Sequence, residues 1–206
     1  QKLFHRFENT ENHLFITGKA GTGKSVLLQY IKLNTKKKIV VVAPTGVAAL
    51  NVGGQTIHSL FLLPPSFIDV SSLKVSRRNA NILQSIDTLV IDEVSMVRAD
   101  VMDGIDHVLR QLRQDNRPFG GVQLLMFGDL YQLPPVVNEP DLIQYFNDRN
   151  GGFYFFNSLA WNGTDLEIYE LETIFRQTDE GFKYILNSLR SGDLSEEHLS
   201  ALNERS

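Results

Sequence analysis

Three short stretches carry residues whose types and spacing can do chemistry. The first is Gly18-Lys-Ala-Gly-Thr-Gly-Lys24-Ser25, a glycine, four residues, then Gly-Lys-Ser. In this pattern the glycines let backbone N–H groups converge on phosphate oxygens, and the lysine neutralises the outer phosphates. The hydroxyl ligates magnesium at the start of a helix whose dipole favours an anion. The phosphate contacts read from it are Gly18, Ala20, Gly21, Thr22, Gly23, Lys24, Ser25 and Val26. Its context fits, because an apolar strand (Leu14 to Thr17) precedes it and an amphipathic helix (Val26, Leu27, Leu28, Tyr30, Ile31) follows.

The second stretch, Leu89-Val-Ile-Asp92-Glu93, ends an apolar run in two acids. With Ser25, Asp92 is the expected Mg2+ contact, holding the ion through its water shell. Glu93, directly after it, is placed to polarise an attacking water, which favours hydrolysis over transfer to a second substrate. A simple capping role for Glu93 is the alternative. The third stretch, Phe127-Gly-Asp-Leu-Tyr-Gln-Leu-Pro-Pro-Val136, replaces an apolar run with Asp129, Gln132 and a stiff Pro134-Pro135 corner.

These stretches need elements that bring them together. Short apolar runs at 13–17, 38–43, 88–93 and 122–128 alternate with helical patterns at 25–33, from about 45, and at 99–113. Continuously apolar strands alternating with helices predict an α/β fold with a parallel sheet covered on both faces. Within 99–113, Val101, Met102, Ile105, Val108, Leu109 and Leu112 recur at spacings of three and four, so that face is core. Residues 62–86 lack a clean period and are too long for an ordinary connection, so they read as an insertion. Lys36-Lys37-Lys38 reads as a solvated helix end. After residue 150 come Phe-Tyr-Phe-Phe, Leu-Glu-Ile-Tyr-Glu-Leu and a helical pattern near 179–190.

The bulk numbers set limits. A chain of 206 residues with 42% apolar content supports one substantial domain. There are no cysteines, which removes disulfides, thiolate metal sites and a thiol nucleophile, and the five histidines have no metal-ligand spacing. No run is long enough to span a membrane, and the start lacks the apolar core of a signal peptide, so no membrane partner and an intracellular location are expected. The net charge of -4 conceals an asymmetry: residues 1–100 carry +5 and the remainder -9. One half can therefore face a polyanion. The chain opens on Gln1 and reads as a piece of something longer.

Three stretches in fixed order give the set its specificity. They are Ala43-Pro-Thr-Gly-Val-Ala-Ala-Leu-Asn-Val-Gly-Gly-Gln-Thr-Ile-His-Ser59, Asp92-Glu-Val-Ser-Met-Val97 and Gly128-Asp-Leu-Tyr-Gln-Leu-Pro-Pro-Val136. With the phosphate loop they cover most of residues 18–136, and the chain resembles the Pif-type (petite integration frequency) DNA helicases of superfamily one, group B. Later, Leu171-Glu-Thr-Ile-Phe-Arg176-Gln resembles the family's fourth motif, and the Leu189 to Leu194 region the end of its first motor domain.

The resemblance implies a RecA-like phosphate-loop NTPase domain spanning 1–206, the first of two motor domains, with residues 62–86 as a small wedge that splits the duplex. The second motor domain is expected to lie outside this chain. It implies ATP and Mg2+ as cofactors, single-stranded DNA and duplex or fork DNA as partners, 5'-to-3' movement and a monomeric unit. Gln1 takes the place of an adenine-reading glutamine. Gln132 would touch both the terminal phosphate and the DNA groove, and Arg176 would stabilise charge on the transferring phosphoryl group. Pro44, Thr45, Gly46, Thr56, His58, Ser59 and Pro134 would line the single-stranded track, while Lys74, Arg77 and Arg78 of the insertion suit a polyanion. For Thr45 and His58 the residues alone favour local capping and a core role. A bacterial cytoplasm is the favoured setting, with the nucleus or mitochondrion if the source is eukaryotic. Two other readings stay open: a nucleic-acid binding module whose nucleotide site is a static switch, and an unrelated phosphate-loop ATPase.

Overall fold

The computed structural model describes residues 2–173 together with Phe175 and Ser188. Its centre is a six-stranded, all-parallel sheet: β1 (His13–Gly18), β2 (Ile39–Ala43), β3 (Gln55–Thr56), β4 (Thr88–Ile91), β5 (Gln123–Phe127) and β6 (Leu166–Leu171). The spatial order is β3-β2-β4-β5-β1-β6. All four apolar runs expected as strands are strands, and Leu-Glu-Ile-Tyr-Glu-Leu supplies β6. The two-residue β3 was not anticipated, since it is too short to carry any period.

The central strands are apolar throughout because both faces are covered. β4 and β5 are buried at every position, whereas the edge strand β6 alternates between half-buried and exposed. Successive side chains point to opposite faces. Thus Leu14, Ile16, Val90, Leu125 and Phe127 join one core with Phe7, Leu28 and Ile31, while Phe15, Leu89, Ile91, Leu124 and Met126 join the other.

The first face is roofed by α1 (Lys2–Glu8) and α2 (Lys24–Asn34). Two short helices follow β2: α3 (Gly46–Asn51), and α4 (Ile57–Phe61) after β3. The second face carries α4, α5 (Ala80–Ser85) and α6 (Ala99–Arg113), and α6 buries all six of the apolar positions expected of it. A further helix, α7 (Pro140–Asn150), is roofed by Phe67, whose ring meets Tyr145 and Phe146 edge to face.

The segment 62–86 is no free-standing excursion. Leu63, Ile68 and Leu83 are buried in the second core, and a Cβ on Gly104 of α6 would stand 3.2 Å from a Leu63 methyl. The lysine triplet also departs from expectation at its middle residue. Lys37 is half-buried and donates to the Phe7 and Thr10 carbonyls at 2.6 and 2.9 Å and to Gln123 Oε1 at 2.7 Å, and burial pushes its pKa down. Sequence reasoning missed it because a charge run looks the same whether its members are solvated or tied. Gln123, in turn, donates to the Thr10 and Asn12 carbonyls, closing the bottom of the sheet. Buried His13 accepts the Leu124 N–H through Nδ1 at 3.0 Å and packs against Phe119 and Trp161, and burial lowers its pKa to about 4, so it is a neutral core residue. Among the described residues no helix is long and apolar enough to cross a membrane.

Candidate functional site

Because every strand runs the same way, all the strand C-termini open on one edge, where ligands of open α/β sheets bind. Along that edge the chain delivers, in spatial order, Thr56–Ser59 after β3, Pro44–Gly46 after β2, Asp92–Glu93 after β4, Gly128–Gln132 after β5, Gly18–Ser25 after β1 and the chain beyond Leu171 after β6. Residues far apart in sequence are neighbours here by sheet order alone.

The loop after β1 is a cradle that only glycine permits at its mouth. Gly18 has φ +143, and a Cβ there would sit 2.5 Å from the Leu171 carbonyl oxygen and 2.9 Å from Thr22 Oγ1. Gly23, also at positive φ, caps α2, and no side chain competes for the first N–H groups of that helix. Buried Thr22 donates its hydroxyl to the Lys19 carbonyl at 2.8 Å. The Lys24 ammonium lies over the loop, donating to the carbonyls of Gly18 at 2.5 Å and Lys19 at 3.2 Å. Ala20, Ser25 and Val26 are exposed on its rim. From β6, the Phe175 N–H donates to the Gly21 carbonyl at 2.9 Å.

Facing the loop is a group of acids. Burial pushes the Asp92 carboxyl up, against the opposing effects of the Glu93 N–H and of Lys24. Burial and then the Asp92 charge push Glu93 up, with Asp129 adding to the rise and Lys24 opposing it. Three carboxylates and one ammonium thus share a partly buried site, an arrangement that favours a cation between the acids and an anion at the lysine. Glu93 has the left-handed backbone conformation (φ 51, ψ 43), uncommon for a side-chain-bearing residue and costing about 1 kcal/mol. It starts the tight turn Val94–Met96.

That turn packs on the β5 loop. A Cβ on Gly128 would stand 3.0 Å from Val94 Cγ1 and 3.2 Å from the Ser95 nitrogen, so glycine allows the two loops to touch. Buried Asp129 accepts the Tyr131 N–H and the Gln132 Nε2–H, both at 3.1 Å, and its own carbonyl accepts the Gln132 N–H at 2.9 Å. Gln132 is therefore an exposed side chain steered by a buried acid. Of the proline pair, Pro135 is buried and Pro134 exposed, so the corner is anchored on one side only. Ser95 was not singled out by sequence reasoning. It is 1% exposed, and its hydroxyl is the one buried side-chain polar atom without a hydrogen bond among the described residues.

At the β2 and β3 ends the hydroxyls serve their own helices. Thr45 caps α3, its Oγ1 accepting the Ala48 N–H at 3.2 Å, and Thr56 caps α4, accepting the Ser59 N–H at 3.2 Å while donating to Ser59 Oγ at 2.8 Å. Local capping, which the residues alone favoured, is thus present. Gly46 and Ser59 are exposed, and Pro44 is half-buried. His58 is also half-buried; burial lowers its pKa, with Arg98 adding to the fall and Asp100 opposing it. Gln1, Arg176 and, apart from the buried Ser188, the helical pattern near 179–190 lie outside the described residues.

This fold is that of a RecA-like α/β domain. The family model described as PIF1-like helicase matches residues 3–199, and the chain belongs to that family. It is similar to the ATP-dependent DNA helicase PIF1 of Candida albicans, 40% identical over 193 residues that make up 89% of this chain and 21% of that protein. It is also similar to human PIF1, 36% identical over 188 residues, 89% of this chain and 28% of that one. Among solved structures, Bacteroides Pif1 in complex with ADP-AlF3 and ssDNA superposes with a TM-score of 0.92 at 42% identity, covering 99% of this chain and 48% of that chain. A structure of two coordinating Pif1 helicases at forked dsDNA gives 0.92 at 41% identity, covering 99% and 50%. The chain therefore spans about half the length of these solved relatives and between a fifth and a third of the curated ones.

Proposed function

We propose that this chain is the first of two motor domains of an ATP-dependent DNA helicase, moving 5' to 3' along single-stranded DNA. One observation carries the proposal: the parallel sheet brings the phosphate loop, the acid pair and the Gly128–Gln132 loop to adjacent positions on one edge, with the Pro44–Ser59 segments beside them.

In this reading the backbone amides of Gly18 to Val26 and the Lys24 ammonium receive the phosphates of ATP, and Gln1 reads the adenine. Ser25 and Asp92 hold Mg2+, which when bound supplies positive charge against the outer phosphates. The crowding of Asp92, Glu93 and Asp129 supports that fit, since a cation relieves their mutual repulsion. Glu93 takes a proton from the attacking water, and its raised pKa brings its basicity nearer to neutral pH. Arg176 stabilises the developing charge on the phosphoryl oxygens. Gln132, tethered to Asp129, swings with the state of the phosphate, and Pro134 carries that movement to the DNA side.

Pro44, Thr45, Gly46, Thr56, His58 and Ser59 give neutral contacts that hold a DNA backbone without reading its sequence. Residues 62–86 meet the duplex at the fork. The working unit is a monomer, which sedimentation of the parent helicase on a forked duplex checks.

The deciding measurement is ATP turnover by the parent helicase with and without single-stranded DNA. We expect strong stimulation that Lys24→Ala abolishes. Turnover indifferent to DNA would favour an unrelated ATPase, and DNA binding without turnover a static module.

A further inference from the structure

Arg98 lies where three segments meet. Five residues before it is Glu93, and the chain between them is the turn Val94–Met96, with Val94 and Ser95 buried, and buried Val97. On its other side the Ala99 N–H donates to the Phe153 carbonyl at 2.9 Å, so the backbone here is held firmly. The guanidinium grips the Asp100 carboxylate with two hydrogen bonds, Nε at 2.8 Å and an Nη at 2.6 Å, and the same Nη donates to the Ser66 carbonyl at 3.2 Å. Asp100, 4% exposed, also accepts the Ile68 N–H at 2.9 Å. An ion pair removed from water in this way keeps its geometry far better than a surface pair. His58 of α4 is electrostatically coupled to both members.

The far end of the 62–86 segment is tied as well. Asn79 donates to the Leu60 carbonyl at 2.8 Å, and Arg113 of α6 donates to the carbonyls of Leu83, Gln84 and Ile86. Between the two ties the segment presents Lys74, Arg77 and Arg78, all exposed and in no ion pair among the described residues. A strip of three exposed cations is thus held at both ends by hydrogen bonds to the domain body.

We propose that Arg98 and Asp100 are positioning residues for strand separation: they lock the 62–86 segment to the chain that follows β4 and carries Asp92 and Glu93, so that Lys74, Arg77 and Arg78 meet the duplex at a fixed place relative to the nucleotide site. The inference rests on the proposed helicase function. It assigns no contact with nucleotide or single strand to either residue, so loss of the clamp separates unwinding from turnover.

The experiment uses the parent helicase with Arg98→Lys and, separately, Asp100→Asn. Arg98→Lys keeps the charge but loses the two-pronged grip, and Asp100→Asn keeps an acceptor for the Ile68 N–H but loses the ion pair. Both avoid leaving a bare buried carboxylate. For each, ATP turnover on single-stranded DNA and unwinding of a forked duplex are measured together with the melting temperature. We expect turnover within about twofold of the wild type and unwinding reduced on the order of tenfold for both, by analogy with the cost of misplacing a group far from the chemistry. Equal losses in turnover and unwinding would mean a purely structural role and overturn the inference, as would unwinding at the wild-type rate. A wild-type parent with DNA-stimulated turnover but no unwinding would overturn the helicase reading, and this inference with it.

Discussion

The two halves of the open edge are built on opposite principles. Around β4, β5 and β1 the side chains are charged, partly buried and mutually perturbing, and the backbone is forced into conformations that glycine or strain must supply, at Gly18 and Glu93. Around β2 and β3 the same edge carries neutral hydroxyls whose hydrogen bonds are made within their own short helices. A site that must discriminate charge states needs fixed charges in a low dielectric, where interactions are strong. In the proposed reading the second half grips and releases a repeating DNA backbone, and that task gains nothing from such strength. The contrast teaches that mutually coupled acids mark the first half, where, beyond burial, Asp92 and Asp129 both raise Glu93. In the second, the one shifted group among the described residues, His58, is moved first by burial.

The largest expected effect breaks the charged half. Glu93→Gln in the parent should lower kcat for ATP hydrolysis by about 10²- to 10⁴-fold while nucleotide binding persists, checked by turnover against equilibrium titration. Because burial and Asp92 raise the Glu93 pKa, the folded protein holds that proton more tightly than the unfolded chain does. The share of stability that Glu93 contributes should therefore be lost as pH rises from the ordinary glutamate range through the raised pKa. Denaturation curves at several pH values should show Glu93→Gln lacking that share while the raised Asp92 keeps its own. Unchanged turnover would deny Glu93 its role.

Next, Gly18→Ala should cost about 1 to 3 kcal/mol through the strained φ alone, with more from the approach of Leu171, measured by denaturant unfolding. Nucleotide affinity should fall with it, since Leu171 leads into the chain that pairs Phe175 with Gly21. In the neutral half, Thr45→Ala should cost about 1 kcal/mol of stability as a lost cap, and Thr45→Ser should restore it. If Thr45→Ser restored stability but not DNA affinity, the methyl rather than the hydroxyl would be the contact, and the neutral half would need rereading. The smallest effect has the opposite sign. Ser95→Ala removes a buried hydroxyl without a partner and should stabilise by about 0.5 to 1 kcal/mol, seen as a melting point higher by about 1 to 4 °C. A loss of stability would show that the hydroxyl has a partner after all.

How far the residues themselves disclosed this can be followed stretch by stretch. The apolar strands were legible because they depend on local pattern, unbroken apolar runs, and so was the placing of the glycine-rich stretch and the acid pair at two strand ends. The core face of α6 was legible for the same reason, a period of three and four. The burial of Lys37, the docking of 62–86 on α6 and the Arg98–Asp100 grip were not, since each depends on a partner supplied from a distant stretch of chain. Asp100, in the first turn of α6, reads locally as no more than an acid that suits the helix dipole.

By itself, then, the amino-acid order marked residues of types that could do chemistry and determined that a parallel sheet must hold them, because both follow from the spacing of residue types along one chain. Only the tertiary structure decided which of those residues share a site. The strand order β3-β2-β4-β5-β1-β6 sets Asp129 beside Glu93 and sets the caps Thr45 and Thr56 on the neighbouring strand ends, and strand order is settled by packing across the sheet, which no local pattern encodes.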